Sequence, residues 1–218
     1  MTEENRDGMG QTPDRRPWRL GVLLSGSGRT LENLLAVIAA GELDAEVVCV
    51  VSSRPGVRGV EIAREAGIPV SVVTWKGVPD PAECSRTVFS TMEQHGADLL
   101  ILAGFLQQLA IDPGWEGRML NIHPCLLPQA EAYAAGRGKY GNRVHAAVLA
   151  HGDAVTGATV HVVTQEYDTG PPILQREVPV LPGDTPETLA ARVFAVECEL
   201  YPEAIRCYMT AHPELQRS

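Results

Sequence analysis

The sequence predicts an α/β fold: a single domain whose Rossmann-like, parallel N-terminal half extends into a mixed β-sheet flanked by helices. Three observations predict it. Between Leu20 and Ile122 short apolar runs alternate with amphipathic segments, the rhythm of parallel βαβ units with helices on both sheet faces. Beyond residue 122 that rhythm changes. Two strand-like segments, Thr156–Val163 and Pro172–Val180, are joined only by the turn Gln165–Pro171, which makes the sheet mixed. Finally, 218 residues suit one domain with a substantial core, and no repeat or linker composition divides them.

The elements follow in order. Leu20–Leu24 reads as a buried strand, followed by the turn Ser25-Gly26-Ser27-Gly28. Thr30 is placed as the cap of a helix to about Ala40, with Leu31, Leu34, Leu35 and Ile38 on one face. Val47–Val51 is a second strand, Val57–Ala66 a second helix stopped by Gly67, and Val70–Val73 a third strand. Asp80-Pro81 opens a third helix, with the aspartate as cap and the proline in the first turn. Leu99–Ala103 and Met119–Ile122 complete the parallel series. A last helix starts at Asp184-Thr185-Pro186, and its apolar positions Leu189, Val193, Val196 and Leu200 recur every three or four residues. Residues 1–17 are polar, without periodicity, and are expected to form a disordered tail ahead of a folded domain at 18–218.

Composition narrows the function. A formal charge of −9 argues against duplex nucleic acid as partner, because phosphate neutralisation needs clustered Lys and Arg. A small phosphorylated ligand remains compatible with it. Five cysteines, none in a C-x-x-C pair, read as reduced thiols of a cytoplasmic protein. Residues 1–17 hold no apolar signal core, and no apolar run reaches membrane-spanning length.

Three segments carry chemistry. Ser25–Thr30 (SGSGRT) lies between strand and helix, where small residues let backbone N–H groups and a helix N-terminus face an anion; a tight turn selected for packing is the other reading. Two nucleotide patterns fail here. Leu31 stands where G-x-G-x-x-G needs its third glycine, and no Gly-Lys-Ser/Thr occurs. In NIHPCLLP, Asn121 and His123 are two apart on a strand end and point to the same side. An amide beside an imidazole there can hold an oxyanion and move a proton; a structural histidine is the alternative. Asp168, in the turn YDTGPP, would favour the imidazolium form of His123 if the two approach. His161 reads either as a support to this group or as a core histidine. His95, His145, His151 and His212 read as solvent-facing or helix-end residues, with no metal-binding spacing among them. Cys125 is taken as a packing residue.

SGSGRTLENLL, LAGFLQQL, NIHPCLLP and GATVHVVTQEYDTGPPILQREVPV, in this order, resemble the glycinamide ribonucleotide formyltransferase family from about Leu20 to Pro202. The resemblance implies the formyltransferase fold, with a nucleotide-binding half at 18–122 and a folate and catalytic-loop half at 123–218. It implies transfer of formyl from 10-formyltetrahydrofolate to an amine, with no metal and with small molecules as the only partners of a monomer or homodimer. Carried over by motif, Asn121, His123 and Asp168 are catalytic, and Gly28, Arg29, Thr30 and Glu197 bind the ribonucleotide. Leu106, Gln107, Gln108 and Leu109, with Thr164, Gln165, Glu166 and Tyr167, line the pterin cleft.

Three positions depart from the family pattern: Gly28-Arg29-Thr30 replaces Gly-Ser-Asn, Phe194 falls where a polar phosphate contact is common, and residues 129–142 replace a shorter stretch. The departures leave Arg29, with at least one of Arg137, Lys139 and Arg143, as the expected phosphate contacts; the other reading is that Arg29 faces solvent and the loop merely covers the cleft. The same chemistry with another acceptor, an amino-sugar nucleotide or water, is the alternative. A methionyl-tRNA formyltransferase would need a basic RNA-binding domain. A nonenzymatic folate- or nucleotide-binding module would be expected to have lost one of the three catalytic residues, and the loop pattern disfavours a dinucleotide oxidoreductase.

Overall fold

The computed structural model describes residues 16–136 and 138–217. Its strands are β1 (Trp18–Leu24), β2 (Ala45–Ser52), β3 (Val70–Val72), β4 (Leu99–Leu102), β5 (Met119–His123), β6 (Val155–Val162) and β7 (Pro172–Pro179). Its helices are α1 (Arg29–Ala39), α2 (Arg58–Glu65), α3 (Pro81–Gln94), α4 (Glu131–Ala134), α5 (Asn142–His151) and α6 (Pro186–Ala211). One sheet runs β3-β2-β1-β4-β5-β6-β7. Its first five strands pair in parallel and its last two join antiparallel, as the change of rhythm beyond residue 122 predicts.

The alternation of side chains along β1 divides the core between the two faces. Leu20, Val22 and Leu24 pack in the cluster that includes Leu31, Leu189 and Val193, while Leu23 joins Val88, Phe89 and Trp115 on the other face. Helix signals act as expected at α3, where Asp80 accepts from the Ala82 N–H, and at α6, where Thr185 and Thr188 form a reciprocal capping box. The buried Tyr201 hydroxyl bridges the carbonyls of Leu102 (3.1 Å) and Leu120 (2.8 Å), fixing α6 to the middle of the sheet.

Strand order reverses between β1 and β4, so the loops after these two strands diverge and leave a crevice at their carboxyl ends. Ser25 ties the loops at its base. Its N–H donates to Gly104 (3.1 Å), and its Oγ accepts from the Leu106 N–H (2.9 Å) and lies 2.6 Å from the Ser53 hydroxyl.

The structure corrects the sequence reading in three places. Thr30 does not cap α1; the N-cap is Gly28, with no side-chain cap. The replaced stretch and its sequel hold α4 and α5, which the sequence reading did not assign. Residues 1–15 of the expected tail lie outside the described residues, but Arg16 does not behave as tail. Its guanidinium grips the fully buried Asp98 with two hydrogen bonds (2.7 and 2.9 Å), and Asp98 also accepts from the N–H groups of Arg19 and Arg217. Burial raises the Asp98 pKa, but these donors outweigh it and hold the carboxyl below its ordinary range. Replacing Arg16 with Ala in the full chain should therefore cost about 1–3 kcal/mol of stability, the scale of a buried charged group losing a partner. Denaturant unfolding checks this, and an unchanged midpoint would show the pair to be inert.

Candidate active site

The loop after β1 presents an anion site by backbone geometry. Gly28 has φ 76°, and a Cβ there would lie 2.4 Å from the Cα of Gly59, so both its conformation and its contact with α2 demand glycine. With no side chain capping the helix, the first-turn N–H groups stay available to a ligand. Gly28→Ala should damage this loop directly. The expected result is a loss of about 1–3 kcal/mol in stability, as for overpacking, together with weaker binding of phosphorylated ligands; unchanged melting and binding would refute the packing argument.

Arg29 and Thr30 follow in the first turn of α1. The exposed Arg29 guanidinium lies over the Phe194 ring of α6, its Cζ 3.9 Å from the ring centroid. Glu197, half-buried, stands one turn beyond Phe194. Burial raises its carboxyl pKa to about 7, and the charge of Arg29 offsets part of that rise. Thus two of the departures from the family pattern, Arg29 and Phe194, meet each other. Arg143 instead stacks on Tyr140 at 5.1 Å and donates to Gly138, Lys139 is exposed, and Arg137 lies outside the described residues.

At the carboxyl end of β5 the three residues singled out as catalytic come together with a fourth. Asn121 pairs across the sheet with His161, and its amide N–H donates to His161 Nε2 at 3.2 Å. His161 Nδ1 donates to the Val162 carbonyl (3.0 Å), which leaves Nε2 as the acceptor. Asp168 Oδ1 lies 3.7 Å from His161 Nε2 and 3.5 Å from His123 Nδ1. Asp168 adopts φ 57°, a left-handed conformation that aspartate tolerates better than most residues. His161 is therefore a bridge inside the group rather than an isolated core residue.

The stretch that replaces the family's shorter loop closes over this group. His123 Nε2 donates to the Ala134 carbonyl (2.9 Å), and the Gly136 N–H donates to Asp168 Oδ2 (2.9 Å). Backbone groups at the end of α4 thus complete the site, which side-chain reasoning could not find. In this arrangement His123 is only 4% exposed. Burial pushes its pKa below 6.5, while Asp168 and the Ala134 carbonyl act upward without restoring it. The expectation that Asp168 favours the imidazolium is right in sign but outweighed. For Asp168 burial acts upward, yet the neighbouring imidazoles of His161 and His123 and the Gly136 N–H lower its pKa overall.

His145 is also corrected. It is buried on α5 rather than solvent-facing, its Nδ1 has no hydrogen-bond partner, and burial, with His123 nearby, lowers its pKa to about 4. The signal was in the sequence: Val144 and Val148 are four apart, and Gly152 (φ 84°) ends the helix.

The two segments assigned to a pterin cleft face each other and are laced together by the side chains of Gln165 and Gln108. Gln165 Oε1 accepts from the Ile111 N–H and its Nε2 donates to the Leu109 carbonyl, each at 3.1 Å. Gln108 returns a bond to the Gln165 carbonyl (3.1 Å). Leu106 and Gln107 are half-buried along this turn, whereas Leu109 is 5% exposed and packs into the core with Trp115, reaching the cleft wall only through its carbonyl. Thr164 and Glu166 are exposed, and Tyr167 is half-buried beside Asp168 in sequence. Cys125 is fully buried, and burial raises its thiol pKa to about 12, the surroundings of a packing residue.

Comparison with known proteins places the chain in a family and matches its fold. The family described as "Formyl transferase" matches residues 18–205. The trifunctional purine biosynthetic protein adenosine-3 of Gallus gallus is 40% identical over 190 residues, which are 86% of this chain but only 18% of that protein. The chloroplastic phosphoribosylglycinamide formyltransferase of Arabidopsis thaliana is 36% identical over 91% of this chain and 67% of its own length. Among solved structures, glycinamide ribonucleotide transformylase 1 from Symbiobacterium toebii superposes with a TM-score of 0.82 at 36% identity and 94% coverage of both chains. The enzyme from Bacillus halodurans gives 0.81 at 30% identity, covering 92% of this chain and 100% of the other. With its fold, its strand-end Asn–His pair and its aspartate turn, this chain belongs to the formyl transferase family.

Proposed function

We infer that the chain is a phosphoribosylglycinamide formyltransferase of purine biosynthesis, moving formyl from 10-formyltetrahydrofolate to the amine of glycinamide ribonucleotide. The observation that carries the reading is the linked group Asn121–His161–Asp168–His123 standing at the same sheet edge as an uncapped helix N-terminus. In the reaction the acceptor nitrogen bonds to the formyl carbon, whose oxygen gains negative charge. The double bond re-forms as the bond to the folate nitrogen breaks, and one proton passes from the acceptor nitrogen to the departing one.

The residues divide this work by chemistry. Asn121 has two N–H donors; His161 holds one, which leaves the second for the oxyanion. His123 moves the proton, and Asp168 orients it and opposes the loss of its basicity on burial. Both nitrogens of His123 face protein acceptors, so contact with substrate requires the Ala134 carbonyl to move off Nε2. Gly28, Arg29 and Thr30 take the phosphate and Glu197 the ribose. The turn Leu106–Leu109 and the loop Thr164–Tyr167 hold the pterin, offering the backbone polar groups that recognition of its amide edge needs.

All five cysteines are unpaired, and among the described residues no helix is long and apolar enough to cross a membrane. These facts fit a cytoplasmic enzyme of small molecules, monomeric or homodimeric, although the Arabidopsis relative is chloroplastic. The test is release of tetrahydrofolate from 10-formyltetrahydrofolate with glycinamide ribonucleotide, an amino-sugar nucleotide, or no acceptor. Preference for the ribonucleotide is expected; faster turnover with either of the others would replace the acceptor assignment.

A further inference from the structure

We propose that Arg29 and Phe194 act as one specificity unit, in which the Phe194 ring holds the Arg29 guanidinium by its face so that the N–H edge reads the acceptor's phosphate. The proposal rests on the acceptor reading above and adds to it a positioning residue, Phe194, that carries no polar group.

The geometry separates the two surfaces of the guanidinium. At 3.9 Å from the ring centroid the contact is well inside the roughly 6 Å reach of cation–π attraction. The ring offers a cation–π contact and no hydrogen-bond acceptor in the guanidinium plane, so it does not use the five N–H donors. Among the described residues those donors make no hydrogen bond and no ion pair. Bidentate contact with a phosphate needs that edge in one orientation. An exposed arginine otherwise has about 2 kcal/mol of rotamer entropy to lose, and the ring removes part of that cost beforehand.

Two further observations fix the unit in place. Asn33, one turn after Arg29 on α1, donates from Nδ2 to the carbonyl of Cys198 at 2.8 Å, and Cys198 is one turn after Phe194 on α6. The helices are thus pinned on the faces that bring Arg29 to Phe194. The charge balance also suits an anion. Glu197 is near enough to feel Arg29 but forms no ion pair with it within 4.0 Å, and burial favours its neutral form. The positive charge of Arg29 therefore stays available beside the first-turn N–H groups of α1.

The experiment uses the full chain and two readouts: the ratio of kcat/KM for glycinamide ribonucleotide over its dephosphorylated nucleoside, and calorimetric affinity for ribose 5-phosphate. Phe194→Leu should lower the ratio about 5–30-fold, chiefly through KM, and weaken ribose 5-phosphate to a similar degree. Phe194→Tyr, which keeps the ring, should restore both within about twofold. Arg29→Met should lose at least as much as Phe194→Leu, and adding Phe194→Leu to it should change little, since the two residues act together. Thermal melting and circular dichroism unchanged from the wild type show that the variants are folded. Unchanged ribose 5-phosphate affinity in Phe194→Leu, multiplying effects in the double variant, or failure of the wild type to bind ribose 5-phosphate would each overturn the proposal. Should the wild type prefer another amine while Phe194→Leu still weakens ribose 5-phosphate, the acceptor assignment fails and the pair stands.

Discussion

Asp168→Asn should lower turnover by roughly two to four orders of magnitude, the range for lost acid–base assistance. The substitution preserves shape and one acceptor oxygen but removes the charge 3.5 Å from His123 Nδ1. The sign of the accompanying pH effect follows from the balance at His123. Burial holds its pKa below 6.5 and Asp168 acts against burial, so removing the carboxylate leaves burial less opposed. The limb of the kcat profile that reports His123 should move to lower pH, not higher. KM for both substrates should change far less than kcat. His123→Ala and the double variant should resemble one another, because residues that act as a unit are not additive. Steady-state kinetics across pH on the three variants checks this; effects that multiply would dissolve the unit.

Asn121→Ala should cost about 10²–10³ in kcat, as expected for one lost oxyanion donor. The loss should not be rescued by pH, because the amide does not titrate. His161 offers the sharper comparison. Both its ring nitrogens are engaged within the protein, Nδ1 with the Val162 carbonyl and Nε2 with one N–H of the Asn121 amide at 3.2 Å, so His161→Phe frees that amide to rotate. Its kcat should fall by about tenfold, less than for loss of the donor itself. Adding His161→Phe to Asn121→Ala should then have little further effect. Equal, independent losses from the two residues would mean that His161 acts on the reaction by itself rather than by aiming Asn121.

How much of this was legible differs between elements for physical reasons. Strand order, the cap at Asp80, the start of the last helix at Asp184-Thr185-Pro186 and the candidate residues Asn121, His123 and Asp168 were readable, because each depends on local pattern: apolar period, a side-chain oxygen two residues from an orphan N–H, and motif spacing. The cap of α1 was misplaced because a side-chain oxygen at Thr30 looks like a cap, whereas Gly28 in a left-handed conformation starts the helix without one. Helix α5 was overlooked although Val144, Val148 and Gly152 mark it.

The sequence by itself determined the family, the parallel-to-mixed change of the sheet and the candidate side chains at the strand end. Tertiary structure alone decided which of them touch and in which direction burial moves their titration. His161 joins the group because antiparallel register sets it opposite Asn121, and Arg29 meets Phe194 because α1 and α6 are pinned through Asn33 and Cys198. Ala134 and Gly136 enter through backbone groups that every residue possesses, so no residue type announces them. The state of His123 depends on how much water the end of α4 excludes, a property of packing rather than of any neighbour in the chain: desolvation there outweighs the nearby carboxylate.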